Sequence, residues 1–330
     1  MTASLETPAF ASAKRQRMPE FFVVGHHKCG TSALYEMLRR HPQIFMPEVK
    51  ETWYFSPELR SPEKRRRPAE RPETMEQYLA LFERAQPGQR RGENSPAYLL
   101  SAQAAQRIRE AQPDARIIAI LREPAAFLRS FHMQCLRNHV ETEKDFATAI
   151  ALESDRRDGR RIPRHSPRPH ELLYSEHVRY VAQLERYRRA FGRERVLVLI
   201  YEEFRADNEA TVREVLRFLD VDDAQPIAQV EANPSYSVRS PQLNELMRSA
   251  YMGRGPVMRP LKRAITATTS RSLRHRLLGV TRRRVVYGEP PQPDERVMRE
   301  LRRRFKGEVE AVSEYLERDL VGLWGYDEIE

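Results

Sequence analysis

Phe21-Phe-Val-Val-Gly-His-His-Lys-Cys-Gly-Thr-Ser-Ala-Leu34 runs from an apolar stretch through a glycine-bounded turn into a helix start. Apolar residues without alternation describe a strand buried on both faces, as in a parallel sheet. The amides at a helix N-terminus point at whatever lies before them, and the macrodipole adds about half a positive charge. The stretch therefore predicts a strand, an anion cradle and a helix, with room for a phosphate or a sulfate.

A Walker A loop sets its lysine directly after the last glycine and before Thr or Ser. Here Thr31 follows Gly30, and the lysine stands upstream at Lys28, between Gly25 and Gly30. A lysine in that position meets a phosphate chain from another side, which argues against a plain ATP site. Cys29 lies inside the loop, where a helix N-terminus would lower a thiol pKa; its small side chain reads better as filler. His26 and His27 stand where either could contact phosphate or acceptor, and read better as ordinary exposed imidazoles beside the cradle.

Outward from this loop, strand-length runs alternate with amphipathic helical ones, the pattern of a central parallel sheet flanked by helices in a three-layer, P-loop-like α/β fold. Strands are expected at Phe21 to Val24, near Ile44 to Met46, near Arg91 to Asn94, at Arg116 to Leu121 and at Val196 to Tyr201. Helices are expected at Thr31 to Arg40, Thr74 to Arg84, Ala102 to Ala111, Pro124 to Asn138, Asp145 to Asp158, Tyr174 to Phe191, Asn208 to Leu219 and Gln242 to Tyr251. A final helix from Asp294 to Glu317 carries Val297, Leu301, Phe305, Val309, Val312 and Leu316 on one face. Arg60 to Pro72 and Asp158 to Pro169 read as exposed loops.

Among 330 residues no apolar run exceeds strand length, which argues against a transmembrane helix. Met1 to Pro19 lacks the apolar centre of a signal peptide and reads as a disordered tail, leaving 20–330 as one domain. Cys29 and Cys135 supply neither a disulfide framework nor a metal site, which suits a reducing, cytoplasmic setting. The net charge is +10, yet Leu246 to Gly288 has no acidic residue and eleven Lys or Arg, so the rest of the chain is near neutral. With only seven lysines in so arginine-rich a chain, Lys28 and Lys50 suggest sites that want a compact ammonium.

Lys50-Glu51 follows the second expected strand, on the sheet edge where the first loop also emerges. A glutamate gains nothing electrostatically beside a bound anion, so it fits the role of general base for an acceptor hydroxyl. Lys50 would keep that carboxylate ionised or neutralise the transferring group. Arg122 leaves the fourth strand, Pro124 stands at a favoured helix start, and Ser130 lies about two turns on. An arginine fork and a helix-borne hydroxyl together suit a terminal phosphate.

In this order, Gly25 to Thr31, Lys50 to Phe55, Gly92-Glu-Asn-Ser-Pro-Ala-Tyr98, Leu121 to Ser130, Val196 to Phe204, Leu216 to Asp220 and the terminal helix leading into Trp324 resemble the bacterial sulfotransferases related to the carbohydrate, heparan sulfate-type enzymes. The resemblance spans about Phe21 to Tyr326. It implies 3′-phosphoadenosine 5′-phosphosulfate as co-substrate, with Gly25, Lys28, Gly30, Thr31 and Ser32 at the 5′-phosphosulfate and Arg122 and Ser130 at the 3′-phosphate. It makes Lys28 the lysine near the leaving bridging oxygen and Glu51 the catalytic glutamate, with Lys50 beside it. Tyr201 would flank the adenine, and Arg239 would reach the 3′-phosphate. The disulfide-bounded loop that closes over the nucleotide in the Golgi relatives cannot form here.

The implied activity is sulfuryl transfer to a hydroxyl of a saccharide or glycolipid-like acceptor, with no metal required. Two alternatives stay open: a kinase-like P-loop phosphotransferase using ATP and magnesium, and a non-catalytic basic protein binding nucleotide or nucleic acid. Confinement of the charge to one segment disfavours nucleic acid. The helical segment 246–288 would be a lid, an acceptor-facing region or a contact with an anionic membrane surface, placing the protein in the cytoplasm or on the inner face of the membrane. His132, Gln134, Arg137 and His139 are candidates to face the acceptor.

Overall fold

A computed structural model of the chain describes residues 17–61, 71–164, 166–227, 237–238, 287–288 and 291–329. The described residues up to Leu128, from Leu173 to 227 and from Met298 onward form one compact unit. Those from Arg129 to Leu172, with 237–238, 287–288 and 291 to Val297, form a second.

In chain order the elements are β1 (Phe21–Gly25), α1 (Thr31–Leu38), β2 (Ile44–Phe45), α2 (Met75–Ala80), β3 (Arg90–Asn94), α3 (Ala104–Ala111), β4 (Arg116–Leu121) and α4 (Pro124–Arg137). They continue with α5 (Phe146–Ala151), α6 (Glu153–Arg157), α7 (Tyr180–Phe191), β5 (Val196–Ile200), α8 (Tyr201–Ala206), α9 (Asn208–Phe218), β6 (Ser237–Val238), β7 (Tyr287–Gly288), α10 (Glu295–Leu316) and α11 (Leu320–Leu323). The larger sheet is parallel throughout, in the order β2-β3-β1-β4-β5, and is flanked by helices. The expected fold class is the one observed. Every residue of β1 is buried, as a strand covered on both faces requires.

Register fixes the functional edge. Phe21 pairs with both Gly92 and Arg116, Gly25 with Ile120, and Leu121 with Ile200. All these strands run the same way, so the segments following Gly25, Asn94, Leu121 and Ile200 leave the sheet at one edge, where open α/β sheets hold their ligands.

Several expected helices are shorter, for local reasons. The Tyr174 to Phe191 run breaks at Arg179 into a 3-10 segment (Tyr174–Val178) and α7. The Gln183 amide donates to the carbonyls of Glu176 (2.7 Å) and His177 (3.3 Å), and Glu308 accepts from the Val181 amide at 3.2 Å. These side chains take bonds that a continuous helix would make within itself. The Asp145 to Asp158 run divides at Leu152, where buried Arg156 donates to the Ala149 carbonyl (3.1 Å) and pairs with Glu141 at 2.7 Å. In α10, Met298 and not Val297 takes the first buried position ahead of Leu301, Phe305, Val309, Val312 and Leu316. Each such side chain contributes about 1.5–3 kcal/mol on burial.

The expected tail boundary falls inside ordered chain: Met18 is buried and its carbonyl accepts from Arg91 Nε at 3.2 Å. Residues 1–16, the expected helix Gln242 to Tyr251 and the basic segment, apart from Tyr287 and Gly288, lie outside the described residues, as does Arg239. No helix among the described residues is long and apolar enough to cross a membrane.

Candidate active site

The loop between β1 and α1 has the conformation its glycines allow. Gly25 (φ 141°) lies against β4, where a Cβ would stand 3.0 Å from the Ile120 carbonyl oxygen. Gly30 (φ 84°) caps α1, and a Cβ there would meet the Phe204 ring at 3.0 Å and the Tyr201 ring at 3.2 Å. Lys28 itself is left-handed, with φ 69°. The first turn of α1 carries no acidic residue and no side-chain cap, and helix geometry leaves its leading amides without intrahelical acceptors. Thr31 is buried and Ser32 half-buried at that start.

Three distant motifs meet on this loop or its flanks. Arg122, at the end of β4, donates from Nη1 to the Lys28 carbonyl at 2.9 Å and lays its guanidinium over the Tyr201 ring, 4.5 Å from the centroid. Its Nε is buried with no partner among the described residues. The His27 Nδ1 stands 3.8 Å from Glu51 Oε1. Lys50 projects its ammonium over the Tyr35 ring, 4.7 Å from the centroid. Within the loop, His27 thus faces the Glu51 carboxylate. Glu51 (φ 54°) and Trp53 (φ 57°) are also left-handed, and such conformations persist where surroundings over-determine them.

The histidines differ from the exposed pair expected. His26 is buried against Phe127, His177 and Tyr180, and its Nε2 lies 2.8 Å from Gln183 Oε1. The Gln183 NH2 is committed to backbone carbonyls, so its oxygen faces His26 and Nε2 carries the proton. Burial drives the His26 pKa from the ordinary 6.5 to about 3; nearby His27 and Arg186 push the same way, against the Gln183 bond. His27 is half-buried. Cys29 is the filler expected: burial overrides the nearby Arg122 charge and pushes its thiol up to about 12.

Trp53 and Phe55 are buried, in keeping with a core role, while Tyr54 is half-buried and stacks on Tyr78 at 4.5 Å between centroids. Arg60 is no loop ornament. It donates to the carbonyls of Trp53 (3.0 Å), Thr52 (3.3 Å) and Pro72 (2.9 Å). Ser130 lies buried on α4, at the start of the second unit. His132, a candidate for the acceptor, is a core histidine: it is buried, its ring bonds the Glu143 carbonyl at 2.8 Å, and burial lowers its pKa.

The sequence hid two supports of this edge. Glu123 caps α4 through the amides of Ala125 (3.0 Å) and Ala126 (2.6 Å) and accepts from Tyr326 Oη at 2.6 Å. Glu202 accepts from Trp324 Nε1 (2.9 Å) and from the Glu123 amide (3.3 Å), and burial raises its pKa despite the Trp324 bond. The C-terminal Trp324 and Tyr326 therefore clasp the turn that presents Arg122. The second support is Glu93 on β3, fully buried among Thr52, Tyr78, Ser95 and Tyr98, where burial raises its pKa against the pull of those hydroxyls. A carboxylate at the end of a core strand is the signal that could have found it.

A profile of the Sulfotransferase family matches residues 19–225. Heparan sulfate glucosamine 3-O-sulfotransferase 6 of Homo sapiens is 31% identical over 129 residues, 39% of this chain and 34% of that protein. Its Mus musculus counterpart is 30% identical over the same share of each chain. This chain thus spans about a third of the length of the curated relatives it matches. A sulfotransferase of Alicyclobacillus acidocaldarius superposes with a TM-score of 0.65 at 26% identity, covering 93% of this chain and 98% of that one. With the profile covering every strand of the larger sheet and more than half of the chain, the chain belongs to the sulfotransferase family.

Proposed function

We propose that the chain transfers a sulfuryl group from 3′-phosphoadenosine 5′-phosphosulfate to a hydroxyl of a saccharide or glycolipid-like acceptor, with Glu51 as general base. The observation that carries the reading is the convergence on one loop: His27 faces Glu51 while the Lys28 carbonyl accepts from Arg122. The match to a glucosamine sulfotransferase favours a saccharide.

The residues present fit such a donor. An acid-free helix start without a side-chain cap suits the 5′-phosphosulfate, and Arg122 Nε, buried with no partner among the described residues and beside a stacked Tyr201, suits a nucleotide carrying a second phosphate. Gly25, Gly30, Thr31 and Ser32 would hold the phosphosulfate, with Arg122 and Ser130 at the 3′-phosphate, Tyr201 beside the adenine and Arg239 as a further phosphate contact. When bound, the donor supplies an activated sulfuryl group for loose in-line displacement, in which positioning and charge stabilisation do most of the work.

Lys28 would meet negative charge on the leaving oxygen, and Glu51 would take the acceptor proton, worth about 10²–10⁴ in rate. Lys50 would neutralise the sulfuryl oxygens. No step calls on a divalent cation, because Lys28 supplies the compensating charge. Calorimetry with 3′-phosphoadenosine 5′-phosphate, ATP and ATP with magnesium tests this. Tighter binding of the 3′-phosphorylated nucleotide, unchanged by chelator, is expected; preference for ATP with magnesium would overturn the reading.

A further inference from the structure

We propose that Glu93 is the positioning residue for the segment that carries Glu51; the inference rests on Glu51 being the base. Glu93 Oε1 accepts from Thr52 Oγ1 (2.6 Å), Ser95 Oγ (2.6 Å) and Tyr98 Oη (2.8 Å), and Oε2 accepts from Tyr78 Oη. A hydroxyl that donates to the Glu93 carboxyl keeps its lone pairs for other donors, and Thr52 Oγ1 and Tyr98 Oη lie 3.0 Å apart in the same cluster. The lone pairs meet the backbone of the base segment. Ser95 Oγ accepts from the Thr52 amide (3.1 Å), Thr52 Oγ1 from the Tyr54 amide (3.2 Å) and Tyr98 Oη from the Phe55 amide (3.3 Å).

The next residue of the same strand completes the set, since the Asn94 carbonyl accepts from the Glu51 amide at 2.9 Å. One buried carboxylate thereby orients the hydroxyls that fix the amides of Thr52, Tyr54 and Phe55. Glu51 and Trp53 are left-handed within that stretch, a conformation costing about 1–2 kcal/mol per residue for side chains with a Cβ. The Glu93 network and the Arg60 bonds to the Thr52 and Trp53 carbonyls hold it. Glu93 touches no reacting atom in this account; it acts through Thr52 and its neighbours on where the Glu51 carboxylate stands.

The test is a cycle of variants followed with labelled donor. Thr52→Val removes one hydroxyl from the network at nearly constant volume and leaves the Tyr54 amide without its acceptor, whereas Thr52→Ser keeps the hydroxyl. Thr52→Val should lower kcat about tenfold to a hundredfold with donor Kd changed by less than about twofold, and Thr52→Ser should restore kcat. In a Glu51→Gln background, Thr52→Val should have no further effect, because the group it positions is gone. A wild-type kcat for Thr52→Val, or the same fold-loss in both backgrounds while Glu51→Gln is itself slow, would overturn this inference alone. Wild-type turnover by Glu51→Gln would remove the base role and this inference with it.

Discussion

Arg122 Nη1 donates to the Lys28 carbonyl at 2.9 Å, so the arginine leaving β4 is fastened to the loop leaving β1. The same guanidinium stacks on Tyr201. Lysine at this position keeps the charge but loses both the planar fork and the stacking surface. Arg122→Lys should therefore bind 3′-phosphoadenosine 5′-phosphate at least about tenfold more weakly, while affinity for adenosine 5′-phosphosulfate, which lacks the 3′-phosphate, changes less. Calorimetry with both ligands checks this; an equal loss for the two would detach Arg122 from the 3′-phosphate.

Gly30→Ala should damage the cradle. The residue sits at φ 84° with no space for a Cβ beside Phe204 and Tyr201. The strain is on the order of 1–3 kcal/mol, or about tenfold in nucleotide affinity for each 1.4 kcal/mol that falls on the loop. Thermal unfolding and nucleotide calorimetry of the variant would both shift; wild-type values for both would show that the close approach does not matter.

His26 makes stability pH-dependent. Between about 6.5 and about 3 the unfolded chain binds a proton that the folded chain refuses. Its contribution is fully present above the unfolded pKa and is lost as pH falls below it, by about 1.4 kcal/mol per pH unit for this one group. His26→Gln cannot titrate, so its urea midpoint should fall less steeply between about pH 6.5 and about pH 4.5 than that of the parent. Equal slopes would contradict a neutral buried imidazole.

The C-terminal clasp should be worth measurable stability. Tyr326→Phe takes a donor from the buried Glu123 carboxylate, which also caps α4. A loss of about 1.5–3 kcal/mol in urea unfolding is expected for a hydrogen bond to a charged group. A change within about 0.5 kcal/mol would show that the Ala125 and Ala126 amides satisfy Glu123 without the tyrosine.

The sheet was legible because Phe21 to Val24, Ile117 to Leu121 and Val196 to Ile200 are apolar without alternation, and the loop because its glycines flank a displaced lysine. The short helix Tyr201–Ala206 was not, since it follows β5 without a break and runs into Asp207, the cap of the next helix. The pair His26-His27 is symmetric in sequence, yet one ring is buried on Gln183 while the other faces Glu51. Glu93 could be quoted as part of a motif but given no role. Its partners Thr52, Tyr78 and Tyr98 come from separate segments, and only the folded chain brings their hydroxyls to one carboxylate.

Sulfuryl transfer with Glu51 as base is tested by the time course of label passing from sulfur-labelled 3′-phosphoadenosine 5′-phosphosulfate to a panel of saccharide acceptors, for the parent protein and Glu51→Gln side by side. Transfer by the parent to at least one acceptor is expected, with a rate lower by about 10²–10⁴ in the variant and nucleotide binding retained. Absence of transfer by the parent to every acceptor, or equal rates for the two proteins, would contradict it.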